Sequence, residues 1–198
     1  MPTRDPGFAE SPLHGAKAQA AFLDKVLKHC KNFRLAVDIG AHVGTCTEFL
    51  ATVFERVWAV EPCAENFSCL VRNVGDRAVL VNAALGSSEG DCTMQLEPGA
   101  NSGMWHVSDG FGVEVTTLDR LMLSNVDFIK IDTEGFEGQV LEGARETIAA
   151  CKPLIVFEDN GLGQKYYGAQ WVDPKPILES LGYEQKTRIN KDEVWAPR

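Results

Sequence analysis

Val37-Asp38-Ile39-Gly40-Ala41-His42-Val43-Gly44 is an apolar run that closes on an acid and then opens into two spaced glycines. Arg34 to Ile39 reads as a short strand and Thr45 to Phe54 as the helix after it, so the glycines mark the turn between them. Glycine takes backbone angles and close contacts that side chains forbid, which suits a turn where backbone approaches a ligand. In an open α/β sheet, ligands bind outside the carboxyl ends of the strands, where this loop sits.

The same alternation repeats outward from the loop. Val57 to Glu61, Val79 to Asn82, Val126 to Asp132 and Pro153 to Glu158 are further short apolar runs, with helical stretches at Ala64 to Asn73 and Phe136 to Ala150. The pattern predicts an α/β, Rossmann-like fold: βαβ units around a sheet of about seven mostly parallel strands, with helices on both faces. Ala16 to His29 adds a helix before the first strand. Pro174 to Leu181 adds one closed by Gly182, and Tyr183 to Thr187 with Glu193 to Trp195 forms an antiparallel terminal hairpin around Asn190. Ala83 to Val115, rich in glycine and serine, reads as a hairpin plus a mobile loop, and Asp159 to Val172 as a loop heavy in glycine and aromatics. No repeat or linker interrupts the chain. The expectation is one domain over 1–198, with 1–13 flexible and 159–173 serving as a substrate loop.

Composition narrows the partners. The 198 residues are 44% hydrophobic and 24% charged, an ordinary globular balance, and no apolar run is long enough to cross a bilayer. Met1 to Glu10 has neither a signal-peptide apolar core nor an arginine-rich transit character, so a cytoplasmic protein without membrane contact is expected. A net charge of -9 argues against a nucleic-acid partner, whose phosphates need lysine and arginine. The six cysteines show neither disulfide pairing nor metal-ligand spacing and read as buried free thiols.

The strand ends carry the chemistry. The apolar runs finish in Asp38, Glu61, Asn82, Asp132 and Glu158-Asp159-Asn160, a row of acids and amides along one rim. His42 stands where the dinucleotide fingerprint needs glycine, which disfavours close approach of a pyrophosphate and weighs against a nicotinamide-dependent oxidoreductase. An adenosyl ligand with a sulfonium and an amino acid tail carries no phosphate and suits an acidic loop. Asp38 is expected to hold a cation or a bridging water, with Gly40, Ala41, His42, Gly44 and Thr45 forming the loop around the ligand. Glu61, followed by Pro62, is placed to accept hydrogen bonds from ribose hydroxyls. Asn82 and Ala83 leave room for a flat adenine and offer one amide to its edge. Lys130-Ile131-Asp132-Thr133-Glu134-Gly135-Phe136-Glu137 crowds three carboxylates at a strand end, so the segment should face a cleft, pair with Lys130 or bind a metal. Glu137 also fits the first turn of a helix, where acids are favoured. His106, in the glycine-rich insert, reads as a loop residue, with Trp105 as a lid.

The ordered series Val37 to Gly44, Trp58-Ala59-Val60-Glu61-Pro62, Asn82 to Gly86, Thr117-Leu118-Asp119, Val126 to Glu137 and Val140 to Ala144 resembles the FkbM family of methyltransferases, and the likeness runs from about Ala36 to Glu158. The resemblance implies a class I methyltransferase fold, with S-adenosyl-L-methionine bound over Gly40, Glu61 and the third strand, and methyl transfer to a hydroxyl of a small-molecule or carbohydrate acceptor. Asp132 leads as the base, with Glu134, Glu158, Asp159 and His106 as the other candidates. Asp132, Asp159 and Asn160 also match in position the magnesium or calcium ligands of catechol-type methyltransferases, which would make transfer metal-assisted. The remaining alternative is a non-catalytic module that keeps the fold without turnover.

Overall fold

Strands buried on both faces must lie in the middle of a covered sheet. The computed structural model, which describes residues 12–198, places the apolar runs there. A first helix, α1 (Pro12–Val26), precedes β1 (Leu35–Ile39), α2 (Thr45–Val53), β2 (Arg56–Val60), α3 (Ala64–Val74) and β3 (Val79–Val81). Then come β4 (Ala84–Leu85), β5 (Gly90–Gln95), β6 (His106–Thr116), β7 (Val126–Ile131), α4 (Glu137–Glu142), α5 (Arg145–Cys151) and β8 (Leu154–Glu158). The chain ends with α6 (Leu162–Tyr167), α7 (Pro174–Ser180), β9 (Tyr183–Ile189) and β10 (Asp192–Pro197). All but the last two residues of the segment expected to be flexible, 1–13, lie outside the described residues.

Seven strands form the main sheet in the order β3-β2-β1-β7-β8-β10-β9. The first five are parallel to one another, and β10 runs antiparallel to both of its neighbours. Side chains alternate between the faces. Ile129 and Ile131 of β7, with Ile155 and Phe157 of β8, pack under α4, α5 and α7 through Val140, Leu141, Ile148, Ile177 and Leu178. Phe128, Leu154 and Val156 pack on the other face with Leu23 and Val26 of α1 and Leu50 of α2. Among the described residues the six cysteines are free, four of them buried.

Three segments depart from the sequence reading. Residues 83–115 form more than a hairpin with a loop: β5 and β6 pair antiparallel as expected, and β4 adds to β6 in parallel, giving a second sheet. A strand of two residues leaves no periodic trace in a sequence. The helix expected from Phe136 to Ala150 is two, broken at Gly143-Ala144. A Cβ on Gly143 would stand 2.0 Å from the Gly86 carbonyl oxygen, so the break seats the chain against the small sheet. The segment after Glu158, expected to be a loop, contains α6 and a 3-10 turn at Gly168–Gln170.

Chain direction fixes where a ligand binds. From β1 the chain builds outward through β2 and β3, then crosses to β7 and β8 on the other side, so the strand order reverses between β1 and β7. Asp38 and Lys130 face each other across that junction in register. Asp38 is 0% exposed and Lys130 6%. The Lys130 Nζ lies 3.5 Å from Asp38 Oδ1 and 3.2 Å from Asp132 Oδ2. Asp38 Oδ2 accepts a 2.6 Å hydrogen bond from the Thr47 hydroxyl of α2. Removing one member of a buried pair strands the other charge at a cost of about 3–5 kcal/mol. Lys130→Met is expected to lower the unfolding free energy by about that amount, read from the shift in urea midpoint.

Candidate functional site

A cavity of about 570 Å³ opens along the carboxyl ends of the strands on both sides of the β1/β7 junction. Its floor is the glycine loop. Gly40 has φ +77, and a Cβ there would stand 1.8 Å from the Asp132 carbonyl oxygen. Only glycine lets β1 and β7 deliver their ends so close together. The Gly40 and Ala41 amides both donate to the Val60 carbonyl, and the Asp132 amide to that of Ile39.

Glu61 locks this loop from the next strand. One carboxylate oxygen accepts from the His42 backbone N–H at 2.8 Å and the other from the Cys63 N–H at 3.0 Å. Burial raises the Glu61 carboxyl to about 7, although those backbone donors pull it down. Asn82 donates to the Glu61 and Pro62 carbonyls, which fixes the end of β2. The His42 ring nitrogen Nε2 lies 2.9 Å from Ser102 Oγ, and Asn66 donates to the Ser102 carbonyl at 3.0 Å. These contacts draw the insert segment Asn101, Gly103, Met104 and Trp105 over the cavity, beside Ala83, Ala84 and Leu85.

Beyond the junction the cavity turns acidic. Glu134 has φ +54, a left-handed backbone that is strained for a side-chain residue. Glu137, at the start of α4, holds that turn: one of its oxygens accepts from the Thr133 N–H, the Thr133 hydroxyl and the Gly135 N–H, all within 3.1 Å. Burial raises Glu137 to about 7 despite these donors. Glu134, Glu158, Asp132 and, from the terminal hairpin, Asn190 and Asp192 line this end. Burial, then the charges of Asp132, Glu158 and Glu137, push Glu134 up to about 8. Burial and then Asp132 raise Glu158, and burial with Asp132 and Glu158 lifts Asp192 to about 6. Burial disfavours the Lys130 ammonium, but Asp132 and Asp38 outweigh it and hold that group well above the ordinary lysine range.

Of the residues anticipated from sequence, Gly40, Ala41, His42, Thr45, Glu61, Pro62, Ala83, Asp132, Glu134 and Glu158 line the cavity. The rest stand elsewhere. Asp38 lies beneath the floor, and the cation it meets is Lys130. Gly44 packs against Leu70 and Val74 of α3. His106 is buried and stacked on Tyr166 at 3.8 Å. Asp159 points away, its carboxylate bound to Lys175 at 2.9 Å with Arg188 at 3.9 Å. Asn160 spends its carbonyl on the Leu162 N–H, so its NH2 group is what faces Glu158 and Glu134, at 2.9 and 3.2 Å.

The expected metal set of Asp132, Asp159 and Asn160 therefore does not assemble. Asp132, Glu134 and Glu158 do bring oxygens within 4.8 Å of one another. Each of these carboxylates has one oxygen on a donor of the chain, Asp132 on the Lys130 ammonium and Glu134 and Glu158 on the Asn160 amide. With an ammonium and an amide NH2 on these oxygens, and two of the three expected ligands turned elsewhere, the donor set does not fit the expected resident metal. Sequence reasoning missed Asp192, Asn190 and the α1 residues Ala18, Gln19 and Phe22, all of which line the cavity from distant elements.

Comparison with known proteins places this geometry. Residues 38–184 match the methyltransferase FkbM domain. The chain is 29% identical over 170 residues to the hexuronic acid methyltransferase AglP of Haloferax volcanii, covering 79% of this chain and 66% of that one. Its fold is similar to the crystal structure of the methyltransferase FkbM from Methylobacillus flagellatus, with TM-score 0.54 and 23% identity over 82% of this chain and 43% of the other. It is similar too to Aeropyrum pernix fibrillarin with natively bound S-adenosyl-L-methionine, with TM-score 0.52 and 15% identity over 91% and 73%. The chain thus spans just under two-thirds of the curated relative and less than half of the FkbM structure. The sheet is that of the class I, Rossmann-like methyltransferases, and the chain belongs to the FkbM methyltransferase domain family.

Proposed function

We propose that this chain transfers a methyl group from S-adenosyl-L-methionine to a hydroxyl of a small-molecule or sugar acceptor. One observation carries the reading: a single cavity joins Ala83–Leu85, Glu61, the Gly40–His42 loop and the carboxylates after β7 and β8. The family match supports methyl transfer, and the name of the haloarchaeal relative supports a sugar.

The residues fit the cofactor. Glu61 keeps spare lone pairs for ribose hydroxyls while its backbone donors hold it in place. Ala83, Ala84 and Leu85, under Met104 and Trp105, form a slot of small and apolar side chains for adenine. The loop backbone and Asp132 serve the sulfonium and amino acid end. When bound, S-adenosyl-L-methionine supplies a methyl group on a sulfonium, which leaves as a neutral thioether.

The chain's part in transfer is alignment and removal of one proton. The acceptor oxygen must lie in line with the bond being broken, and its proton goes to a carboxylate. Asp132 leads on sequence, but Lys130 holds it at 3.2 Å. Glu134 is the better base: its turn aims it at the cavity, and a carboxyl near 8 takes a proton more readily than an ordinary one. No step is routed through a metal.

Titration with S-adenosylhomocysteine tests the cofactor reading. Saturable binding is expected, with Glu61→Gln weaker by about tenfold or more from loss of charged hydrogen bonds. Absence of binding, or a preference for NAD, would sink the reading. Glu134→Gln is expected to cut kcat by about 10²- to 10⁴-fold without loss of cofactor affinity. The wild-type kcat/KM should rise with pH and level off above about 8, as Glu134 sheds its proton. A flat profile from pH 6 to 9 would exclude Glu134 as the base.

The raised carboxyls also tie stability to pH. Glu61, Glu137, Glu134 and Asp192 hold protons in the folded state that the unfolded chain releases near its ordinary carboxyl range. Their contribution is present at low pH and is lost as pH rises through about 6 to 8. The Tm of the ligand-free protein is expected to fall from pH 5 to 8 in calorimetric scans. A Tm that climbs over this range would contradict the assignment.

A further inference from the structure

The charge of the cavity wall bears on which acceptor enters. Among the described residues lining it, Glu61, Asp132, Glu134, Glu158 and Asp192 are acids, and Lys130 is the one lysine or arginine. Lys130 is committed to Asp38 and Asp132 from below. Lys191 approaches Glu158 at 4.0 Å from the solvent side, with its side chain 65% exposed. Recognition of a carboxylate normally relies on an arginine or lysine that is free to pair with it. The described wall provides none.

We propose that the acceptor end of this cavity selects by charge, taking hydroxylated compounds that are neutral or carry a protonated amine and rejecting uronates. The inference rests on the methyl-transfer reading above and narrows its substrate. It separates this chain from the haloarchaeal relative, whose name specifies a hexuronic acid. The cofactor arm uses Glu61 and the glycine loop. The far arm, where the acceptor must enter, is framed by Glu134, Glu158 and Asp192. Burial first, then the charges of Asp132 and Glu158, raise Glu134 to about 8 and Asp192 to about 6, so at pH 7.5 Asp192 is ionised while Glu134 is largely protonated. A ligand carboxylate at about 8 Å, at an effective dielectric near 20, loses on the order of thirtyfold in affinity for each ionised acid it faces. An ammonium at the same place gains by the same route. A neutral sugar does neither and relies on its hydroxyls, which acids accept well.

Two series of sugars that differ at one substituent test this: glucosamine, glucose and glucuronic acid, and galactosamine, galactose and galacturonic acid. Each is titrated at pH 7.5 by ligand-observed NMR against protein saturated with S-adenosylhomocysteine, and kcat/KM is measured wherever turnover occurs. The expected order in both readouts is amine, then neutral sugar, then uronate, with at least tenfold between the extremes. Raising the salt from 50 to 500 mM should shrink that spread, because the effect is Coulombic. Asp192→Asn should narrow it further while S-adenosylhomocysteine affinity holds. A uronate that binds or reacts as well as its amino or neutral counterpart overturns the proposal, as does a spread indifferent to salt. Failure of all six sugars to bind at 10 mM overturns it too. Loss of the cofactor reading is distinguishable, since it shows in the S-adenosylhomocysteine titration. The same sugars run on ligand-free protein then still give or deny the order.

Discussion

The ion pair between Asp38 and Lys130 is the constraint on which the arrangement turns. Two charged side chains face each other at the centre of a sheet otherwise filled by valine, isoleucine and phenylalanine. Desolvating them is costly, and a pair of apolar residues of the same size would fill that space at lower cost. What the pair supplies is position. It sits where the strand order reverses, is anchored to α2 through Thr47, and extends to Asp132 through the same ammonium. Lys130 thereby ties Asp132, the residue after β7, to the floor under the glycine loop, in the crevice that such sheets use for ligands.

Much of the acidity of this chain is architectural, and sorting it is what makes the site visible. Asp127 holds Arg34 at the far end of the same strands, its carboxyl kept below the ordinary range by that guanidinium. Glu61 and Glu137 each tie down a turn by accepting backbone N–H groups. Asp159 and the buried Glu193 of β10 share Lys175 and Arg188. Asp119 caps α5 by accepting from the Glu146 and Thr147 amides. Among the acids that line the cavity, with Asp132 on Lys130, that leaves Glu134, Glu158 and Asp192, whose carboxyls are raised. An acid whose proton affinity is raised by its neighbours is where proton transfer is cheapest.

The fold was legible because its signals are local. Apolar runs closing on an acid gave the parallel strands, and Gly182 and Asn190 marked the last helix end and the terminal turn. Glu61 and Asp132 were legible for the same reason, since strand ends locate the ligand crevice. The errors arose where long-range geometry decides. Asp38 and Asp159 occupy strand-end positions as Glu61 and Glu158 do, yet each is claimed by a lysine remote in sequence. No spacing rule separates an acid that faces a cavity from its neighbour that faces an ammonium. The orientation of Asn160 was equally hidden, because the Leu162 N–H that sets it belongs to a helix read as loop.

The cavity draws on two parts of the chain. One part, from Gly40 to His42 and from Glu61 to Leu85, lies inside the stretch that matches the family. The other part is Ala18, Gln19 and Phe22 from α1 and Asn190 and Asp192 from the terminal hairpin, all outside residues 38–184. Those residues reach the site because α1 packs on α2 and because β10 inserts beside β8, both consequences of burying the sheet. The Asp38–Lys130 pair, by contrast, is closed within the family stretch by Thr47 and Asp132.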